Sequence, residues 1–212
     1  GSAPRDIANK LAKIESEPPT YSAWSIAAAV GVASGGFAFI NGAAAVDLIA
    51  AAVASATGQW FRTLLLRNRY NQYGAAALTA LTASGAYVLL AALMRNVGLE
   101  IANFPAGFIA SVLFLVPGFP LVGGLFDLLQ YETVAGVSRL AYGTMILLAV
   151  ALGLSIVIAI AGIDLSRQPP PELAYPLTLV LRAFASFVAG GAFAMLFNSS
   201  ARTALAAGLL AL

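Results

Sequence analysis

The sequence predicts an all-α membrane protein, a polytopic bundle of about six to seven transmembrane helices with one of them broken. Two observations predict this. Of 212 residues 60% are hydrophobic and only 9% charged, against about 25% charged in ordinary soluble domains, too few to build a water-facing surface. Charge-free runs occupy residues 18–46, 70–94, 101–126, 140–163 and 183–201, each long enough to cross the roughly 30 Å hydrocarbon core as a helix.

Along the chain, Gly1-Ser2 reads as a cleaved-tag remnant, and residues 3–20, with Arg5, Lys10, Lys13 and the break Pro18-Pro19, as an amphipathic lead-in. Span 1 covers about Tyr21–Ile40, and Asn41-Gly42 is a turn dipeptide. Span 2, about Ala43–Leu66, contains Asp47 and ends in the basic cluster Arg62, Arg67 and Arg69. Span 3 covers about Gln72–Met94. Span 4 starts near Pro105 but must break at Pro117-Gly118-Phe119-Pro120, because proline inside a helix removes a hydrogen bond and clashes one turn back. Its second segment, Leu121–Tyr131, carries Asp127. Span 5 covers about Val134–Ile163, 164–176 is a proline-rich external loop, and span 6 covers about Leu177–Phe197. A further helix from Ser199 stops before it could cross. Trp24, Trp60, Tyr70 and Tyr73 read as interface anchors.

Arg5, Lys10, Lys13, Arg62, Arg67, Arg69, Arg139 and Arg202 fall on one side if the spans alternate, leaving Arg95 and Arg167 opposite. The positive-inside rule then makes the N-terminus cytoplasmic in a cell (inner) membrane. Gly35-Gly36-Phe37-Ala38-Phe39-Ile40-Asn41 resembles Gly190-Gly191-Ala192-Phe193-Ala194-Met195-Leu196-Phe197-Asn198 if a two-residue gap is allowed. The repeating unit, residues 21–163, then holds five spans, and 177–212 begins a second copy. An odd number inserts that copy upside down, the inverted repeat of many secondary transporters.

Without cysteine or histidine, disulfides, thiol nucleophiles and histidine metal sites are excluded. No phosphate-binding or dinucleotide fingerprint is present, so neither an enzyme, a cofactor nor a metal is expected, and a net charge of +2 gives no case for nucleic acid. A proton relay would have to use carboxylates. Asp47, amid apolar residues, must pair or carry a proton, which suits coupling, although an interfacial or helix-capping carboxylate fits too. Pro117, Gly118 and Pro120 free backbone carbonyls and open a helix N-terminus that attracts a carboxylate ligand, or else form a tight loop at the surface. Asp127, two turns beyond Pro120, either meets a substrate ammonium or proton or is a solvated charge. Arg182 either meets a substrate carboxylate, pairs with Asp47, or snorkels. Asn41 and Asn198 hold matching turn positions in the repeat.

These residues also resemble a known family. Leu11, Ile14, Pro18-Pro19 and Tyr21, the Gly/Phe-rich first span, and Leu115-Val116-Pro117-Gly118-Phe119-Pro120-Leu121 followed by Asp127-Leu128-Leu129 resemble the threonine/serine exporters over residues 11–212. The resemblance implies a ten-span exporter made of two five-span halves, fused or separate, with Ala189–Leu212 opening the second. It implies as partners the lipid bilayer, a small-molecule substrate, protons, and a second half or further copies of the chain. The expected activity is proton-coupled export of threonine or serine. Export of a dicarboxylate such as succinate, or a non-transporting scaffold subunit, are the alternatives.

Overall fold

In the computed structural model residues 20–99, 101, 104–163, 166 and 175–212 are described. The lead-in over 3–19 and most of the 164–176 loop lie outside them. The described residues form eight α-helices: α1 Ala23–Ile40, α2 Ala45–Arg67, α3 Gln72–Asn96, α4 Phe104–Ala110, α5 Gly118–Leu129, α6 Thr133–Ala161, α7 Tyr175–Leu196 and α8 Ala201–Leu210. A 3-10 turn, Leu113–Leu115, follows α4.

Polar side chains start several of them. Ser22 accepts a hydrogen bond from the Ser25 amide at 3.1 Å to begin α1, and Asn71 accepts from Tyr73 at 2.8 Å to begin α3. Each satisfies an amide the helix leaves without a partner. Four helical stretches are long and apolar enough to cross a membrane: Ala23–Ile40, Gln72–Asn96, Thr133–Ala161 and Pro176–Leu196. Phe104–Leu115 with Gly118–Leu129 supplies a fifth if that bent pair is one span. α2 is less apolar but has 23 residues, roughly 34 Å at 1.5 Å per residue. Its polar residues Asp47, Ser55 and Gln59 are buried in the bundle, so its composition reflects an inward face. α8, with 10 residues, is shorter than a span.

The predicted break in span 4 is present: the two halves meet at 63°. Pro117 causes it. The residue before a proline is pushed out of the helical region, and Val116 is extended at φ −64°, ψ 120°. The Ser111 hydroxyl donates to the Phe108 carbonyl at 2.7 Å, occupying an acceptor near the end of α4. Pro120 lies in the first turn of α5, where a missing amide costs nothing, so the new N-terminus is at Gly118 rather than near Leu121.

α1 packs between α2 and α7, α3 between α2 and α6, α5 lies along α6, and α4 fills the space enclosed by α1, α2 and α3. Small residues permit close approach. A Cβ on Gly31 would stand 2.8 Å from the Ala52 carbonyl oxygen, and one on Gly153 2.5 Å from that of Ala77.

The turns that close α1 and α7 share a hydrogen-bond register that the ends of α2, α3 and α5 also adopt. Ala43 donates to the Ala38 carbonyl and Gly42 to Phe39; Ser199 donates to Ala194 and Asn198 to Met195. Gly42 and Asn198, 156 positions apart, both take positive φ, 86° and 57°, the left-handed position that glycine and asparagine favour. This constant spacing aligns Gly35, Phe37 and Ala38 with Gly191, Phe193 and Ala194 without a gap. In that alignment, which does without the two-residue gap of the sequence match, Asn198 stands at the position of Gly42 and Asn41 at that of Phe197. The Thr20 amide donates to Asn198 Oδ1 at 3.0 Å and the Tyr21 hydroxyl to the Ser199 carbonyl at 3.0 Å. The start of α1 thus lies beside the end of α7, and the two helix-turn-helix units run in opposite directions.

Candidate functional site

Asp47 is the third residue of α2 and is 0% exposed. Its Oδ2 accepts from the Ala44 amide at 3.0 Å, a capping interaction that also sets the carboxylate against the positive end of the helix dipole. Its Oδ1 faces the hydroxyl of Tyr87 on α3 at 3.4 Å, long beside the roughly 2.7 Å usual for an O–H donor. Capping contributes about 1 kcal/mol, whereas withdrawing a carboxylate from water costs several. The cap alone does not account for complete burial.

Tyr87, also 0% exposed, is held by aromatic neighbours on the first half of the broken span. Phe104 meets its ring edge-on at 5.1 Å, Phe108 lies at 6.2 Å, and the two phenylalanines stack on each other at 5.8 Å. Gly107 sits directly against the Tyr87 hydroxyl, leaving no room there for a Cβ. Asp47, Tyr87 and Gly107 thus join α2, α3 and α4 at one point. Sequence reasoning passed over Tyr87 and Gly107. The signal for Tyr87 was a hydroxyl well inside a charge-free run, where a buried tyrosine needs a partner.

The other expected residues lie elsewhere. Asp127 pairs with Arg139 of α6, Oδ2 to Nη1 at 3.0 Å, with side-chain exposures of 21% and 55%. Asp127 Oδ2 is itself shielded and lacks a well-aligned hydrogen bond, so the contact is an ion pair across the α5–α6 seam. Arg182 is exposed on α7. Pro117 and Gly118 adjoin a groove of about 570 Å³ whose lining includes Phe37, Phe114, Phe119, Phe193 and Phe197, an apolar setting for the N-terminus of α5. Asn41 donates to the Phe37 carbonyl at 2.9 Å, and Asn198 fastens Thr20. Asp47 and Asp127 are therefore on different elements with different partners. Deeper in the bundle, Ser34 Oγ, Gln59 Oε1 and Thr79 Oγ1 are buried without hydrogen-bond partners. Among the described residues no three His, Cys, Asp or Glu side chains cluster as a metal site would require.

The model of a family described as "Putative threonine/serine exporter" matches residues 2–161, which takes in helices α1 to α6. The chain belongs to that exporter family. It is 29% identical over 150 residues to the "Probable succinate transporter subunit YjjP" of Escherichia coli (strain K12), across 69% of this chain and 56% of that protein. It is 26% identical over 162 residues to the protein of the same name from Klebsiella aerogenes, across 75% and 59%. The chain spans a little over half the length of these curated relatives. No solved structure matches it significantly. Family and helices together make it a multi-pass membrane protein of an exporter family, whose name describes transport rather than an enzyme class.

Proposed function

We propose that this chain forms the membrane core of a secondary exporter for a small carboxylate metabolite, driven by the proton gradient, with Asp47 carrying the coupling proton. One observation carries the reading: a carboxylate wholly buried at the junction of three helices, opposite a tyrosine hydroxyl and beside a broken span. With no histidine in the chain, a carboxylate is the natural group to load and release a proton, and among the described residues Asp47 is the most completely enclosed carboxylate. It also weighs against a mere scaffold, in which intramembrane charges would all turn toward the interfaces.

Two substrate classes fit. A hydroxy amino acid such as threonine or serine agrees with the family description; a dicarboxylate such as succinate agrees with the names of the two relatives. The antiparallel α1–α2 and α7–α8 units support a ten-span inverted-repeat exporter, completed by a second five-span half or by another copy of the chain, in the inner membrane with the N-terminus cytoplasmic.

The test is Asp47→Asn in the intact protein, reconstituted in proteoliposomes and assayed for counterflow and for pH-gradient-driven uptake of threonine, serine and succinate. Asparagine preserves shape but does not titrate. Counterflow should survive while gradient-driven flux falls to background. Equal loss of both would make Asp47 structural, and undiminished gradient-driven flux would move the coupling role to Asp127.

A further inference from the structure

At the end of the bundle away from the α2–α3 turn, α3, the start of α4 and the end of α6 enclose an open cavity of about 370 Å³. Ala92, Arg95, Phe104, Pro105, Gly162 and Ser166 are among its lining residues, and among the described residues that line it Arg95 is the one charged side chain. The volume lies within the roughly 300–1,000 Å³ typical of small-molecule sites. A guanidinium is the side chain best matched to a carboxylate, because its planar fork donates two parallel hydrogen bonds.

What ties the cavity to the buried pair is Phe104. It lines the cavity and meets the Tyr87 ring edge-on at 5.1 Å, while the Tyr87 hydroxyl faces Asp47. Arg95, Phe104, Tyr87 and Asp47 therefore follow one another from the open end inward, a cation at the mouth, an aromatic partition, then the carboxylate.

We infer that this cavity is a binding site for a small carboxylate anion, with Arg95 its anchor and the Phe104 ring the partition between the bound anion and the Asp47–Tyr87 pair. The inference rests on the exporter reading, since it supplies the station at which cargo is held on the side of Asp47. A fixed cation at the mouth also explains how an anion is drawn to a cavity whose other described lining residues carry no charge.

The chain lacks cysteine, so a single Ala92→Cys places a reporter in the cavity, with exposed Leu205→Cys on α8 as control. The rate of labelling by an uncharged maleimide is followed while succinate or threonine is titrated onto the purified intact protein. Either carboxylate compound should slow labelling at position 92 and not at 205. Arg95→Gln should raise the half-protecting concentration roughly tenfold or more, as expected for a lost charged hydrogen bond, with Arg95→Lys intermediate. The site is overturned if neither compound protects at concentrations that support counterflow, or if protection is unchanged in Arg95→Gln. Protection without flux of either compound would retain the site and remove the exporter reading. Because Arg95 is exposed, both substitutions should leave the elution profile of the folded protein unchanged, which is checked alongside.

Discussion

A carboxylate that solvent does not reach depends on the groups that face it, and those facing Asp47 include a backbone amide, a helix end and the Tyr87 hydroxyl. The position of that hydroxyl depends in turn on Gly107. Replacing Gly107 with alanine would drive a methyl group into the Tyr87 hydroxyl and the end of its ring, and a wholly buried tyrosine has little space to retreat. Gly107→Ala should therefore destabilise the protein by about 1–3 kcal/mol, the usual cost of overpacking, read as a lowered thermal midpoint in detergent. Adding Tyr87→Leu, which removes the atoms in the way, should recover much of that loss, a non-additivity expected only of residues in contact. Simple addition of the two effects would show that the helices shift instead and that Gly107 does not position Tyr87.

Among the elements, the broken span and the close helix pairs decide the architecture. Gly153 of α6 rests on α3 so closely that a Cβ would lie 2.5 Å from the Ala77 carbonyl oxygen and 2.9 Å from Ala80 Cβ. Backbone cannot rotate aside as a side chain can, so Gly153→Ala must push the helices apart, at about 1–3 kcal/mol. Gly85 on α3 has open space where a Cβ would go, and Gly85→Ala should instead be neutral or stabilising by up to about 1 kcal/mol through helix propensity. Equal thermal midpoints for the two variants would contradict this packing. Helix ends and the break at Pro117 were legible in the sequence because proline, Asn-Gly and charge-free runs act locally. Tyr87 and Gly107 were not, because an aromatic among alanines and a glycine between an alanine and a phenylalanine gain meaning only when α3 and α4 meet. The turn after α1 fills its left-handed position with glycine and the turn after α7 with asparagine, so a letter-to-letter match of the two segments and a match by backbone register give different alignments.

For the whole molecule, the remaining question is which end faces the cytoplasm. Trp24 at the start of α1 stacks on Trp60 near the end of α2 at 5.7 Å, and Tyr73 at the start of α3 lies 5.9 Å from Tyr142 of α6. Thr20 is tied to Asn198 just beyond α7. These contacts gather Arg62, Arg67, Arg69, Arg139 and Arg202 toward one end of the bundle, leaving Arg95 at the other and Arg182 in the half of α7 nearer to it. Positive residues are retained on the cytoplasmic side during insertion, so the α2–α3 turn should be cytoplasmic and the Arg95 cavity external. Position 97 is a suitable outer reporter, because Val97 is 70% exposed and follows the last residue of α3. In intact cells an impermeant maleimide should label Val97→Cys and should reach Asn68→Cys only after permeabilisation. The opposite pattern would invert the molecule, and the cavity would then receive cargo from the cytoplasm rather than hold it on the way out, with Asp47 meeting the proton on the loading side.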